Sequence, residues 1–253
     1  MPAISWLSLA WCALPVVIVC GIFFSWQGKP SEILLASARM ALQLIGVGYV
    51  LVALFGNPSV WLTLTVLLVM ISAAAWISIR PVNHHKGFLA PAFIALGVSV
   101  ALHLLITLKL VLAVDVWYEP RVIIPLAGMY FANTMNAISL AAERYHAELH
   151  QNKDEQSARL SAFHAAMIPQ VNGLLAVGLV ALPGMMTGQI LSGVSPLIAV
   201  RYQIMIMTMI LGASGMGAAL MLWLLGRRYR KTCVALPYEQ RQPGNHGHSV
   251  EFE

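Results

Sequence analysis

The chain reads as an all-α, polytopic transmembrane helix bundle of about seven spans, with its N-terminus outside and its C-terminus in the cytoplasm. Three observations predict this. Of 253 residues, 59% are hydrophobic and only 10% charged, against about 25% charged in soluble domains, so no soluble fold could hide this much apolar surface. The apolar residues come in long continuous runs, not in the short alternating segments of a membrane barrel. Basic residues then divide unequally between the connectors. With the N-terminus outside, the inner connectors hold Lys29, Arg80, Lys86, Arg144, Lys153, Arg159, Arg227, Arg228, Arg230, Lys231 and Arg241, and the outer ones only Lys109 and Arg121. This is the positive-inside asymmetry, and it accounts for the net charge of +5 without a nucleic-acid partner.

Spans of about 20 residues each fall at 4–24, 33–55, 60–79, 88–113, 121–142, 165–194 and 197–226. The first, opening MPAISWLSLAWCALPVV, has no Lys or Arg ahead of its apolar run. It therefore reads as a membrane helix and not as a cleaved signal peptide. The second carries Arg39 and Gln43, four apart and so on one helical face. They read either as a contact for a partner helix or anionic group, or as a structural polar pair in which Arg39 snorkels and Gln43 caps a neighbouring backbone. Gly56-Asn57-Pro58-Ser59 marks a tight turn, and Ser195-Pro196 opens the last helix. His103 stands alone in the fourth span and reads as an interhelical hydrogen-bonding group. The membrane domain covers 1–231, and the polar tail 232–253 is expected to be disordered.

The stretch 121–196 organises the rest. Its first span, VIIPLAGMYFANTMNAISLAA, contains Pro125, Gly128, Asn133 and Asn136. Its second, AAMIPQVNGLLAVGLVALPGMMTGQILSGV, contains Pro169, Asn172 and the pair Pro183-Gly184. Prolines, glycines and amides at membrane depth persist where protein or a water-filled cavity satisfies them. The amides Asn133, Asn136 and Asn172 serve either to hold helices together or to line a hydrophilic path. Pro183-Gly184 should interrupt the sixth span, as a hinge or as a junction of half-helices. Between the two spans lies ERYHAELHQNKDEQSARLSAFH, residues 143–164, the most charged segment before the tail and an expected cytoplasmic loop.

Other chemistry is thinly represented. The 13 methionines, among them Met185 and Met186, read as flexible packing or as soft ligands for copper(I). Cys12, Cys20 and Cys233 lack metal or redox spacing, and His246 and His248 read as part of a solvated tail. Gly212-Ala213-Ser214-Gly215 looks like an intramembrane protease GxSG, but no later membrane span carries the histidine base that chemistry needs. Close helix packing is the better account. The seventh span has no lysine for a retinal Schiff base, and no GxxxxGK[ST] phosphate loop occurs. If the chain is part of a pump, the motor is another polypeptide.

The segments ARMALQLIGVGYVL (37–50), IPLAGMYFANTM (124–135), AAMIPQVNGLLAVGLVALPGMMTG (165–188) and AVRYQIMIMTM (199–209) together resemble the FetB-type (YbbM-like) ABC transporter permeases associated with iron export. LPGMMTG and RYQIM are the specific parts. The resemblance implies a homodimeric, multi-pass permease of the cell (inner or plasma) membrane. ATP would be bound on a separate cytoplasmic ABC subunit, a metal ion would be the cargo, and no cofactor is expected on this chain. It implies a coupling loop at Glu143, Arg144, Glu148, Lys153 and Arg159, and a translocation path or hinge at Asn133, Asn136, Asn172, Pro183, Gly184, Met185 and Met186. The chain departs from the family pattern in a shorter 143–164 segment and in Asn172, where relatives tend to be acidic. Two further readings stay open: an ATP-independent secondary transporter or channel, or an ABC permease for a small organic solute. The first would need a mid-membrane proton relay, and no Asp or Glu sits deep in a span.

Overall fold

The computed structural model describes residues 5–26, 28–56, 59–82, 86–151 and 153–235. The Asn57-Pro58 part of the expected turn and the tail from 236 onward, with His246 and His248, lie outside them. Nine α-helices occur among the described residues: α1 Trp6–Ala10, α2 Ala13–Ser25, α3 Pro30–Gly56, α4 Val60–Ser78, α5 Lys86–Leu105, α6 Pro120–His150, α7 Glu155–Ala176, α8 Gly184–Leu191 and α9 Pro196–Ala235. The only extended pairing among those residues is one bridge between Val177 and Ala181. The all-α reading therefore holds.

The chain divides into two units at Asn57. In the first, Ser5 caps α1 by accepting the Ser8 backbone N–H at 3.0 Å, and α1 and α2 share the first expected span. Apolar side chains of α2 and α3 are almost all exposed, with Leu54 the one buried residue of α3, as suits helices solvated by lipid. Arg39 and Gln43 are exposed as well. Among the described residues neither side chain makes a hydrogen bond to the other or to a neighbour.

The second unit is built around α6 and α9. α9 packs against α5, α6, α7 and α8, and α6 against α4, α5, α7 and α9. Glycines let these helices approach. A Cβ on Gly212 would meet the His103 ring of α5, one on Gly215 would touch Met167 of α7 at 3.6 Å, and one on Gly217 would run into Thr134 of α6. The hydroxyl of Ser99 donates to the carbonyl of Ala213 at 2.6 Å. The GASG segment is thus a packing surface, as close-approach glycines in membrane helices usually are. α5 leaves α-helical geometry in a π-helical stretch, Ile106–Val111, where Thr107 bonds the buried Tyr130 hydroxyl of α6 at 2.8 Å.

Two expectations are corrected. Residues 143–164 are not a loop. α6 continues to His150 and α7 begins at Glu155, so only a short turn separates them. Side-chain pairs at helical spacing carry the helices through this charged stretch: Arg144 with Glu148, and Glu155 with Arg159. The second correction concerns where the sixth span, 165–194, is interrupted: the break expected at Pro183-Gly184 begins earlier, at the end of α7. Among the described residues six helical segments are long and apolar enough to cross a membrane, and this one is not one of them. The chain leaves α7 at the extended Val177, and Gly178, at φ +83° and five residues before Pro183, continues the turn in left-handed geometry that only glycine takes up without a steric penalty. Pro183 then stands as N-cap of α8. The interruption lies within one crossing. Along α7, Glu155, Met167 and Gly173 face Gly226, Gly215 and Met207 of α9 in turn, so the two helices run antiparallel. The segment 155–195 therefore connects opposite ends of α9.

Candidate functional site

A cavity of about 320 Å³ opens where α6, the interrupted α7–α8 segment and α9 meet. Each wall owes its polarity to helical spacing. Asn133 and Asn136 lie three apart on α6, Gln170 and Gly173 three apart on α7, and Gln203 and Met207 four apart on α9, all lining the space. Pro183, Gly184 and Met185 close the remaining side, and Met129, Pro169, Leu140, Leu174, Ile206, Ile210 and Leu211 make most of the rest of the lining apolar. Asn133 donates its amide N–H to the Met129 carbonyl at 2.8 Å, which leaves its side-chain oxygen available. Gln203 is 5% exposed, an amide held deep in an otherwise apolar helix.

The donor set is neutral. Amide oxygens and nitrogens alternate with the thioethers of Met129, Met185 and Met207. Among the described residues no group of three or more His, Cys, Asp or Glu side chains comes together. The first backbone N–H groups of α8 lack partners within the helix, and their turn, Gly184-Met185, sits on the cavity wall. Such a pocket has no general base or nucleophile. It can solvate a polar cargo at a depth where lipid cannot. Its floor and one wall are made by the interrupted segment, the element best able to bend.

Five of the residues expected along a path or hinge lie together here: Asn133, Asn136, Pro183, Gly184 and Met185. Asn172 is exposed on another face of α7, and Met186 is half-buried outside the lining. Gln170 and Gln203 were not anticipated, although each lies in a quoted motif, next to Pro169 and inside RYQIM. Their one signal is that a glutamine in a long apolar run needs a polar neighbour.

At the other end of α6 the expected coupling residues form a fixed structure. Glu148 is 1% exposed, and its two carboxylate oxygens meet Arg144 at 2.6 Å and Lys153 at 2.5 Å. The turn is thus tied back onto α6 by a charge that could not stay buried alone. Asp154 caps α7, its carboxylate accepting the Ser157 N–H at 3.0 Å. The Ser157 hydroxyl and N–H hold that carboxyl below the usual range. The Glu155–Arg159 pair rests against Gly226 of α9, where a Cβ would strike it. Glu143 is exposed and free to meet a partner.

Residues 6–230 match the family described as "Uncharacterised protein family (UPF0014)". A UPF0014 membrane protein of Synechocystis is 37% identical over 226 residues, covering 82% of this chain and 87% of the relative. The Escherichia coli protein named "Probable iron export permease protein FetB" is 31% identical over 233 residues, 85% of this chain and 88% of the relative. "Protein ALUMINUM SENSITIVE 3" of Arabidopsis thaliana is 28% identical over 220 residues, 79% of this chain and 78% of the relative. No solved structure matches.

Proposed function

The chain belongs to the UPF0014 family of membrane proteins, and on that premise we propose that it is the permease subunit of an ABC exporter, driven by a separate ATP-binding chain. It is a multi-pass membrane protein with permease relatives. The observation that carries the proposal is the neutral, amide-lined cavity between α6, α9 and the interrupted segment. It offers a cargo the amides of Asn133, Asn136, Gln170 and Gln203 within a largely apolar lining. Transport by alternating access would then use Pro125, Pro169 and the 177–183 break as bending points, moving the cavity's walls against one another.

The drive would enter at the α6–α7 turn, which faces the cytoplasm under the positive-inside assignment. A turn pinned to the end of α6 by Glu148, Arg144 and Lys153 would transmit a push into α6 better than a slack loop would. Glu143 and Arg159 lie beside this lever as docking charges. Arg39 and Gln43, exposed on α3, support a homodimer. A lipid-facing arginine costs about 2.5–3.5 kcal/mol at mid-helix, and a second copy would cover it.

A metal ion, with iron as the first candidate, follows from the name of the Escherichia coli relative. The absence of carboxylates from the lining favours a cargo that enters with its own ligands or charge-neutral. A small organic solute is therefore the second reading. The test is ATPase activity of the chain purified with its partner subunit, measured across iron, other metals and neutral solutes. Stimulation by a cargo, lost on Gln203→Leu, supports the reading. A chain that moves cargo across liposomes without any ATPase would overturn it.

A further inference from the structure

We propose that His146 and His150, in the last turn of α6, form a two-imidazole binding site for a first-row transition-metal dication, separate from the cavity. In the segment HAELH the two rings lie four apart, the spacing by which helices present paired histidines to one metal. Their Nε2 atoms are 3.1 Å apart. Two nitrogens bound to one ion at about 2.0–2.1 Å, with a bond angle between roughly 90° and 109°, stand about 2.9–3.4 Å from each other, so the bite is already set. The ring centroids are 4.3 Å apart at 66°. The ring of Phe88 on α5 braces His146 edge-on at 6.2 Å. His146 is half-buried and His150 exposed, which gives a supported ligand and an open approach.

The surroundings favour a cation. The carbonyl end of α6 carries the negative pole of its helix dipole. Arg144 and Lys153, the nearby cations, are both committed to Glu148. That carboxylate lies between the histidines in sequence but is turned into the protein, so it is not a third ligand. Imidazole selects ions such as zinc, copper, nickel and ferrous iron over magnesium or calcium. Binding requires both Nε2 atoms unprotonated, and so replaces the hydrogen bond that now joins the rings. A bound ion would staple the last turn of α6 against the turn to α7. Only this consequence, a metal-sensitive lever, rests on the permease reading; the site itself does not.

The experiment uses the full chain in detergent, purified without a histidine tag and carrying His246→Ala and His248→Ala so that the tail does not contribute. Copper(II) alone is titrated and its electron paramagnetic resonance spectrum recorded. The expected result is one ion per chain with two imidazole nitrogens in its coordination shell. His150→Ala or His146→Ala should each leave a single nitrogen and weaken binding by about tenfold or more, because the second ligand of a chelate acts at high effective concentration. His150 is exposed, so His150→Ala should leave the unfolding transition unchanged. No stoichiometric binding by the parent, or binding unaltered in both variants, would overturn the site. Failure to co-purify an ATP-binding subunit would overturn the permease reading and leave this result standing.

Discussion

Glycine 212 shows how much a single absent methyl decides. Its Cα faces the Nε2 side of His103, whose Nδ1 bonds the Ser99 carbonyl at 2.8 Å, so the ring has little room to retreat. Gly212→Ala should cost about 1–3 kcal/mol, the range for overpacking a filled core. Most of that loss should disappear in the double variant with His103→Ala, as equilibrium unfolding of the purified protein would show; additive losses would mean the two do not meet. Asp154 gives a pH-dependent counterpart. Its carboxyl is held below the usual range by Ser157, so its contribution is full above the unfolded value of about 3.9 and fades as pH falls through the folded one. Asp154→Ala should therefore destabilise the protein at neutral pH, with the gap from wild type closing below about pH 4. At this scale the sequence was partly legible. The packing role of GASG followed from its small residues, whereas Gln203 sat unremarked among apolar neighbours because the amides that share its cavity come from α6 and α7, far away in the chain.

The interrupted segment is the element on which the proposed transport mechanism depends. Gly178 at φ +83° has open space around it, so an added Cβ meets no neighbour and the penalty is conformational, about 1–2 kcal/mol. Gly178→Ala combined with Pro183→Ala should favour continuation of α7 into α8. Transport should then fall severalfold while the protein remains folded and membrane-inserted, read by flux assay alongside size-exclusion chromatography. Normal flux would remove the break from the mechanism. The sequence marked the fault through Pro183-Gly184 but set it too late, because proline draws attention where glycine makes the turn. The charged stretch 143–164 was misjudged for a related reason. Charge density reads as a loop, yet Arg144–Glu148 and Glu155–Arg159 repeat at the four-residue spacing of a solvated helix, and that spacing was the available signal.

Across the whole molecule, length separates the helices that exceed the membrane's thickness from those that match it. α6 has 31 residues and α9 has 40, about 46 and 60 Å at 1.5 Å per residue, against a hydrocarbon core of about 30 Å. Both helices must project from the bilayer, and the α6–α7 turn with its buried Glu148 stands at the end of one projection. Spans of continuous apolar sequence were readable from composition alone. Their extensions were not, since a helix outside lipid is held by packing that only the fold supplies. Glu148→Ala should free the turn, leaving Arg144 and Lys153 without their shared counter-ion. Coupling should suffer more than insertion, with basal ATPase of the complex kept and its stimulation by cargo lost. The central claim is that this chain is a conduit moved by another protein's ATP hydrolysis. The direct measurement is cargo flux in proteoliposomes holding this chain with and without its co-purified ATP-binding subunit. Flux that requires the subunit, ATP and an intact Gln203 is the predicted result; equal flux from the chain alone would contradict it.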